Sequence, residues 1–288
     1  MAEVSGFCGG VKRALGLAYD ACRQCAGRVY VAGELVHNKE VMENVKAAGI
    51  KLLRDYDLKK ITPEDALLIR AHGCPRGQWA KFHKLFNTVI DGTCPHVGRV
   101  SKMVECESEK GKYIIIIGDK SHPEVQTLAS FAKDDKICII NSEEELDHLQ
   151  DNLGQVLVIA QSTIDESSFR NFANKISKIY LHAEIKDTIC GSSRRRQRAI
   201  LNFKKKGIQA VVVVGGIHSN NTRTLVQIAQ KIGLPAFHVE TATDLPIQKL
   251  KTFKVIGVIG GASTDEETTK QMVANLLTLG NQMENPSH

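Results

Sequence analysis

Three cysteines stand in matching settings: Gly6-Phe-Cys8-Gly-Gly-Val-Lys12-Arg13, Asp91-Gly-Thr-Cys94-Pro-His, and Asp187-Thr-Ile-Cys190-Gly-Ser-Ser-Arg194. Each reads as the opening of a helix. A helix N-terminus presents unpaired N–H groups and a partial positive charge, which shift a thiol toward thiolate. The three lie 86 and 96 residues apart, so any centre they share draws one ligand from each third of the chain. Structural zinc is closed by four ligands, usually close in sequence, so three remote thiolates suit it poorly. A [4Fe–4S] cluster suits them better. Three of its irons are then anchored, and the fourth is open to substrate as a Lewis acid and an electron source. From spacing alone the alternative is three buried structural cysteines, which are common.

The elements that must position these residues follow one pattern. Short β-branched runs end in glycine or polar loops: Val29–Val31, Leu67–Ile69, Ile114–Ile117, Val156–Ile159, Val211–Val214 and Val255–Ile259. Continuous apolar runs of this length predict strands buried on both faces, as in parallel sheets. Lys39–Ala48, Val97–Lys110, Gln197–Lys206 and Thr222–Ile232 read as helices between them. Strand and helix in alternation predict an α/β fold. Polar residues crowd at the strands' carboxyl ends, where open α/β sheets bind ligands. All six loops carry a His or a Ser/Thr cluster, one of them His72 beside Arg70. Each third thus holds one helix-opening cysteine and two polar loops. The reading is a threefold repeat: three similar small α/β lobes, 1–93 with Cys8, 94–186 with Cys94 and 187–288 with Cys190.

Composition narrows the class. The 288 residues carry 38 Lys+Arg against 32 Asp+Glu, a net +6 that suits an anionic ligand without demanding one. The longest apolar run, Ala210 to Ile217, is far too short to span a bilayer, and the first residues do not read as a secretory signal. Eight cysteines in a chain large enough for its own core read as reduced thiols, which points to the cytoplasm. Cys22-Arg-Gln-Cys25 has no second pair and reads as helix packing. The Arg194–Arg196 and Lys204–Lys206 runs read as solvated helix faces that can steer an anionic partner.

Taken together, the motifs resemble the LytB/IspH family. They are Gly-Phe-Cys8-Gly-Gly-Val-Lys-Arg-Ala, Val-His37-Asn-Lys, Arg-Ala-His72-Gly, Asp-Gly-Thr-Cys94-Pro, His122-Pro-Glu124-Val, Asp-Thr-Ile-Cys190 followed by Arg196-Gln197, His218-Ser219-Asn220-Asn221-Thr-Arg, and Gly-Ala-Ser263-Thr. They run in order from about residue 5 to about residue 280. The resemblance implies 4-hydroxy-3-methylbut-2-enyl diphosphate reductase activity in the non-mevalonate isoprenoid pathway. That is reductive loss of an allylic hydroxyl, giving isopentenyl and dimethylallyl diphosphate. It implies three lobes in a pseudo-threefold arrangement around a central [4Fe–4S] cluster with one iron lacking a protein ligand, and an electron donor such as ferredoxin or flavodoxin.

By the same resemblance Cys8, Cys94 and Cys190 hold the cluster, and Glu124 beside His122 is the proton source. Ser162 stands where the family has a proton-relaying Thr. His37, His72 and His122 belong to the diphosphate pocket, and Ser219, Asn221 and Ser263 supply further contacts. Asn220 replaces a second Ser, and His218 sits where the family typically has Asn. The family's Lys-Asn-Ser-Ser-Asn becomes Ile217-His218-Ser219-Asn220-Asn221, its Ala-Thr pair becomes Gly191-Ser192-Ser193, and its Pro after Ser263-Thr264 becomes Asp265. These changes leave two further readings open: a cluster enzyme working on another anionic substrate as hydro-lyase or sulfur-handling catalyst, and a non-enzymatic redox sensor. No DNA-reading motif supports nucleic-acid binding.

Overall fold

A computed structural model describes residues 1–55, 57–150 and 152–284. The strands form three parallel sheets, one within each third of the chain. The first third carries α1 (Gly9–Gln24), β1 (Val29–Val31), α2 (Lys39–Ala47), β2 (Lys51–Leu52), β3 (Ala66–Ile69), α3 (Arg76–Leu85) and β4 (Thr88–Asp91). The second carries α4 (Pro95–Glu109), β5 (Tyr113–Ile117), α5 (Pro123–Ala129), β6 (Ile137–Ile140), β7 (Val156–Ala160), α6 (Glu166–Ile179) and β8 (Glu184–Ile185). The last carries α7 (Gly191–Lys205), β9 (Ala210–Val214), α8 (Asn220–Lys231), β10 (Ala236–Val239), α9 (Ile247–Leu250), β11 (Ile256–Gly260) and α10 (Glu266–Glu284).

The sheet orders are β2-β1-β3-β4, β6-β5-β7-β8 and β10-β9-β11, one connectivity used three times. Among the described residues the third sheet has no fourth strand. Residue Ala2 fills that place: its N–H donates to Val258 O on β11 (2.8 Å), as Lys186 N–H donates to Val158 O on β7 (2.9 Å). The chain divides into two compact units. One holds Met1–Cys8, Val36–Val41 and the residues from Gly191 onward, with the third sheet; the other holds Gly9–Leu35 and Met42–Cys190, with the first two.

Each sheet is apolar on both faces because its central strands are mostly Ile, Val and Leu, with Tyr30 in β1, Tyr113 in β5 and a few Ala and Gly positions. In the second sheet, Ile115, Ile117, Val156 and Val158 pack with Phe169 and Ile176 of α6. Ile114, Ile116, Leu157 and Ile159 point the other way, onto Val97, Val100 and Val104 of α4 and Val125 and Leu128 of α5. The third sheet repeats the arrangement. Val211, Val213 and Ile259 meet Ile200 and Phe203 of α7 and Leu225 and Ile228 of α8, while Val212, Val214 and Val258 meet Met272 of α10. Burying such chains on both sides contributes about 1.5–3 kcal/mol for each large side chain, so the strand ends are held on a rigid base.

All six strands expected from the sequence are present. Five edge strands (β2, β4, β6, β8 and β10) were not marked, because one flank of each is unpaired and their burial is mixed. Cys22 lies in α1 and Cys25 just beyond it. The Arg194–Arg196 run is not wholly a solvated face: Arg196 is 2% exposed and bonded into the interior. No described helix is long and apolar enough to cross a membrane.

Candidate active site

The three motif cysteines have one local geometry. Cys8 precedes α1, Cys94 is the N-cap of α4 and Cys190 precedes α7. None of these helices has an acidic residue in its first turn, so the positive end of each dipole is left to the thiol. The Cys8 N–H donates to Ala262 O (2.9 Å), the Cys94 N–H to Ala71 O (2.9 Å) and the Cys190 N–H to Ser162 O (3.1 Å). Ala71, Ser162 and Ala262 are each the second residue after the third strand of a sheet. Every cysteine is therefore pinned to the carboxyl end of a buried strand. All three are half-buried, and no disulfide involves them.

Cys94 and Cys190 are also joined through their flanking residues. His96 Nε2 lies 2.7 Å from Thr188 O. A carbonyl can only accept, so this nitrogen carries the proton. Thr188 is itself fixed to β7, its hydroxyl donating to Ala160 O (2.6 Å) and accepting from Ala160 N–H (2.8 Å).

Glu124 sits in the first turn of α5, directly after Pro123. His122 caps that helix, its Nδ1 accepting the Glu124 N–H at 3.2 Å. Glu124 is 3% exposed. Its Oε1 accepts from Ser162 N–H and its Oε2 from the Ser162 hydroxyl, both at 2.6 Å. Burial pushes its pKa up; the Ser162 hydroxyl, the Ser162 amide and the charge of His96 pull it back without cancelling that rise. The result is a carboxyl that keeps a proton at higher pH than a surface glutamate and has one hydroxyl to exchange it with. The His72 and His122 rings meet edge to face, with centroids 5.2 Å apart. Gly73 (φ +73°) shapes this loop, since a Cβ there would lie 2.9 Å from Thr127 Cγ2.

In the other unit, Asn221 braces the loop after β11: its Oδ1 accepts the Ala262 N–H (2.9 Å) and its Nδ2 donates to Ser193 Oγ (3.3 Å). Ala262 thus ties Asn221 to Cys8 through its two backbone groups. The next residue, Ser263, is buried, and its hydroxyl finds no hydrogen-bond partner among the described residues. Burying an unsatisfied hydroxyl costs on the order of 1–3 kcal/mol, a cost expected where a ligand supplies the missing bond. Ser219 caps α8, accepting the Thr222 N–H at 3.3 Å. The His37 backbone runs against Gly216, where a Cβ would lie 1.9 Å from His37 O. That glycine is required for the loop to pass.

Several atypical positions have structural explanations. The Ser162 hydroxyl still reaches the Glu124 carboxyl. Asp265 directs its carboxylate to the Thr268 N–H (2.7 Å) and hydroxyl (2.6 Å), capping α10, as Asp165 caps α6. Ile217 and His218 are exposed, and Asn220 accepts from Arg223 (2.9 Å). Arg13 and His96 carry no role in the motif resemblance, and Arg196, expected on a solvated face, is buried. The available signal was a cationic or N–H-donating side chain a few residues after each cysteine, visible only when the three cysteine motifs are laid over one another.

The profile of the LytB protein family matches residues 1–277. A 4-hydroxy-3-methylbut-2-enyl diphosphate reductase of Caldanaerobacter subterraneus subsp. tengcongensis is 32% identical over 286 residues, covering 99% of this chain and 98% of that protein. The solved structure of the E-1-hydroxy-2-methyl-but-2-enyl-4-diphosphate reductase from Plasmodium falciparum superposes with a TM-score of 0.89 at 28% identity, covering 96% of this chain and 86% of that one. A second solved structure, described as (E)-4-hydroxy-3-methyl-but-2-enyl diphosphate reductase, the terminal enzyme of the non-mevalonate pathway, matches with a TM-score of 0.68 at 27% identity over 96% of this chain and 98% of that one. With its repeated sheet connectivity and its three cysteine loops, this chain belongs to the LytB family.

Proposed function

We propose that the protein is a 4-hydroxy-3-methylbut-2-enyl diphosphate reductase, replacing the allylic hydroxyl with hydrogen to give isopentenyl and dimethylallyl diphosphate. Its relatives' names and solved structures support this substrate, and the coupling of Glu124 to Ser162 is the observation that carries the chemistry. The reaction consumes two electrons and two protons: the hydroxyl departs as water, and the remaining electron pair and proton form a C–H bond.

Cys8, Cys94 and Cys190 are proposed to hold a [4Fe–4S] cluster with one iron lacking a protein ligand. The donor set fits such a group: half-buried thiols on helix N-termini, without disulfides and without competing first-turn carboxylates. When bound, the cluster supplies the electrons and an open iron for the departing oxygen. The electrons come from a one-electron donor protein such as ferredoxin or flavodoxin.

The chain's own residues do the rest. Glu124 holds the proton in a dry environment and passes it to Ser162 Oγ, which releases its own toward the substrate. The hydroxyl hydrogen must turn from Oε2 toward the substrate for this, and the 2.6 Å contact lets the proton cross with the heavy atoms of both side chains in place. The strand-end side chains are proposed to bind the diphosphate: His37, His72 and His122 by ring N–H groups, and Ser219, Asn220, Asn221 and Ser263 by amides and hydroxyls. Such bonds to a charged group contribute roughly 1.5–3 kcal/mol each. Anaerobic reconstitution, iron counting and product analysis with the hydroxylated diphosphate test the proposal. Turnover to both isoprenoid diphosphates is expected, and it should disappear in a Cys94→Ser variant. A reconstituted protein that leaves this substrate untouched while acting on another anion overturns it.

A further inference from the structure

Three side chains outside the motif assignments make one type of bond. Arg13, five residues after Cys8 on α1, donates from Nη1 to Thr93 O (3.1 Å) and from Nη2 to Asp91 O (3.0 Å). His96, two residues after Cys94 on α4, donates from Nε2 to Thr188 O (2.7 Å). Arg196, six residues after Cys190 on α7, donates from Nη2 to Gly6 O (2.5 Å) and from Nε to Gly260 O (3.1 Å). Four of these five carbonyls lie one and three residues before Cys94, two before Cys190 and two before Cys8; the fifth, Gly260, ends β11 two residues before Ala262, whose carbonyl accepts the Cys8 N–H. Each helix that opens on one cysteine therefore reaches the loop that delivers the next, in the order 8 to 94, 94 to 190 and 190 to 8.

Packing alone has no reason to choose a peptide carbonyl just upstream of a cysteine three times. It has still less reason to use a side chain of similar chemistry each time, from the helix of the preceding cysteine. Burial adds to the case. Arg196 is 2% exposed, and taking a guanidinium out of water is costly unless its donors are used. It uses them on Gly6, Gly260 and Ser192 Oγ (2.5 Å), all next to cysteine loops or their strand ends.

We infer that Arg13, His96 and Arg196 are positioning residues that hold the cysteine loops from outside the ligand set, each gripping the carbonyl just upstream of one thiol. The inference rests on the proposal that these cysteines ligate a cluster. Groups that orient metal ligands in this way change metal affinity by about tenfold to a hundredfold when removed. His96 is the informative member, because it links two cysteine loops and is only half-buried, so its loss spares the core.

The test uses the full chain with His96→Leu, which removes the donor, and His96→Gln, which restores an N–H near the Nε2 position. After anaerobic reconstitution, loss of iron to a chelator should be about tenfold to a hundredfold faster in the Leu variant and close to wild type in the Gln variant. In the metal-free proteins, amide exchange at residues 188–190 should accelerate in the Leu variant alone, with little change in melting temperature. Arg13→Met should do the same at residues 93–94. Wild-type iron retention together with unchanged exchange in His96→Leu overturns the inference, as does failure of the Gln variant to restore either. Should the wild-type protein hold no cysteine-dependent iron, the cluster proposal fails, and the exchange measurement still decides whether His96 orders the Cys190 loop.

Discussion

Glu124→Gln separates chemistry from architecture, because the replacement is nearly isosteric and its hydrogen bonds can be worked out. The amide oxygen still accepts the Ser162 N–H now held at 2.6 Å by Oε1, and the new NH2 donates to the Ser162 hydroxyl in place of Oε2. The loop carrying Cys190, whose N–H is bonded to Ser162 O, keeps its anchor. The transferable proton is lost. A positioned general acid typically contributes 10²- to 10⁴-fold. At about 1.36 kcal/mol per tenfold, that corresponds to roughly 2.7–5.4 kcal/mol of barrier. Dye-coupled anaerobic assays should show kcat falling by that factor with KM within about threefold, since Glu124 is not among the proposed diphosphate contacts. Stability should move the other way. Burial raises the Glu124 pKa above its usual 4.5, so the wild-type contribution is complete below that value and is lost as pH rises through the folded value. The Gln variant has no such loss, so its melting temperature should gain on wild type as pH rises. A Gln variant with kcat within tenfold of wild type refutes the assignment of Glu124 as the acid.

Ser263→Ala deletes a buried hydroxyl without a protein partner among the described residues, so KM for the diphosphate should rise about tenfold or more with kcat little changed; an unchanged KM removes Ser263 from the binding set. Asp65 is brought to a pKa of about 2 although burial alone would raise it, because the Arg28 side chain and the Thr62 and Arg28 amides bond to its carboxylate. Asp65→Asn should therefore cost about 1–2 kcal/mol above the usual aspartate pKa, and the loss should vanish as pH falls through about 2, as followed by denaturant titration. Burial pushes the Cys74 thiol up to about 12 and the Cys138 thiol up to about 11. Mapping of alkylated sites in the metal-free protein at about pH 8 should show buried Cys74 and half-buried Cys138 lagging behind Cys8, Cys94 and Cys190; equal labelling contradicts the rise at those two thiols.

The legible part of the fold was its buried centre. Ile114–Ile117 and Val211–Val214 are readable because a strand covered on both faces must be apolar at every position. The edge strands β4 and β8 read as nothing in particular, since one side of each faces no partner and polar residues are tolerated there. The site was legible as residue types: a helix-opening cysteine and a polar strand-end loop leave local marks in the sequence. Which side chain bonds to which was not. Ser162 and Glu124 are 38 residues apart, and Arg196 and Gly6 are 190 apart. Nothing local in either segment encodes the other.

The amino-acid order alone settled the α/β class, the threefold recurrence, the cysteine positions and the family, because each is written in local composition or in motif spacing. Tertiary packing decided the rest. It seated Ala2 beside β11, buried Arg196 within an otherwise basic helix and brought the Ser162 hydroxyl onto a carboxyl deprived of water. These outcomes depend on long-range contacts and on desolvation, which arise only once distant segments share one interior.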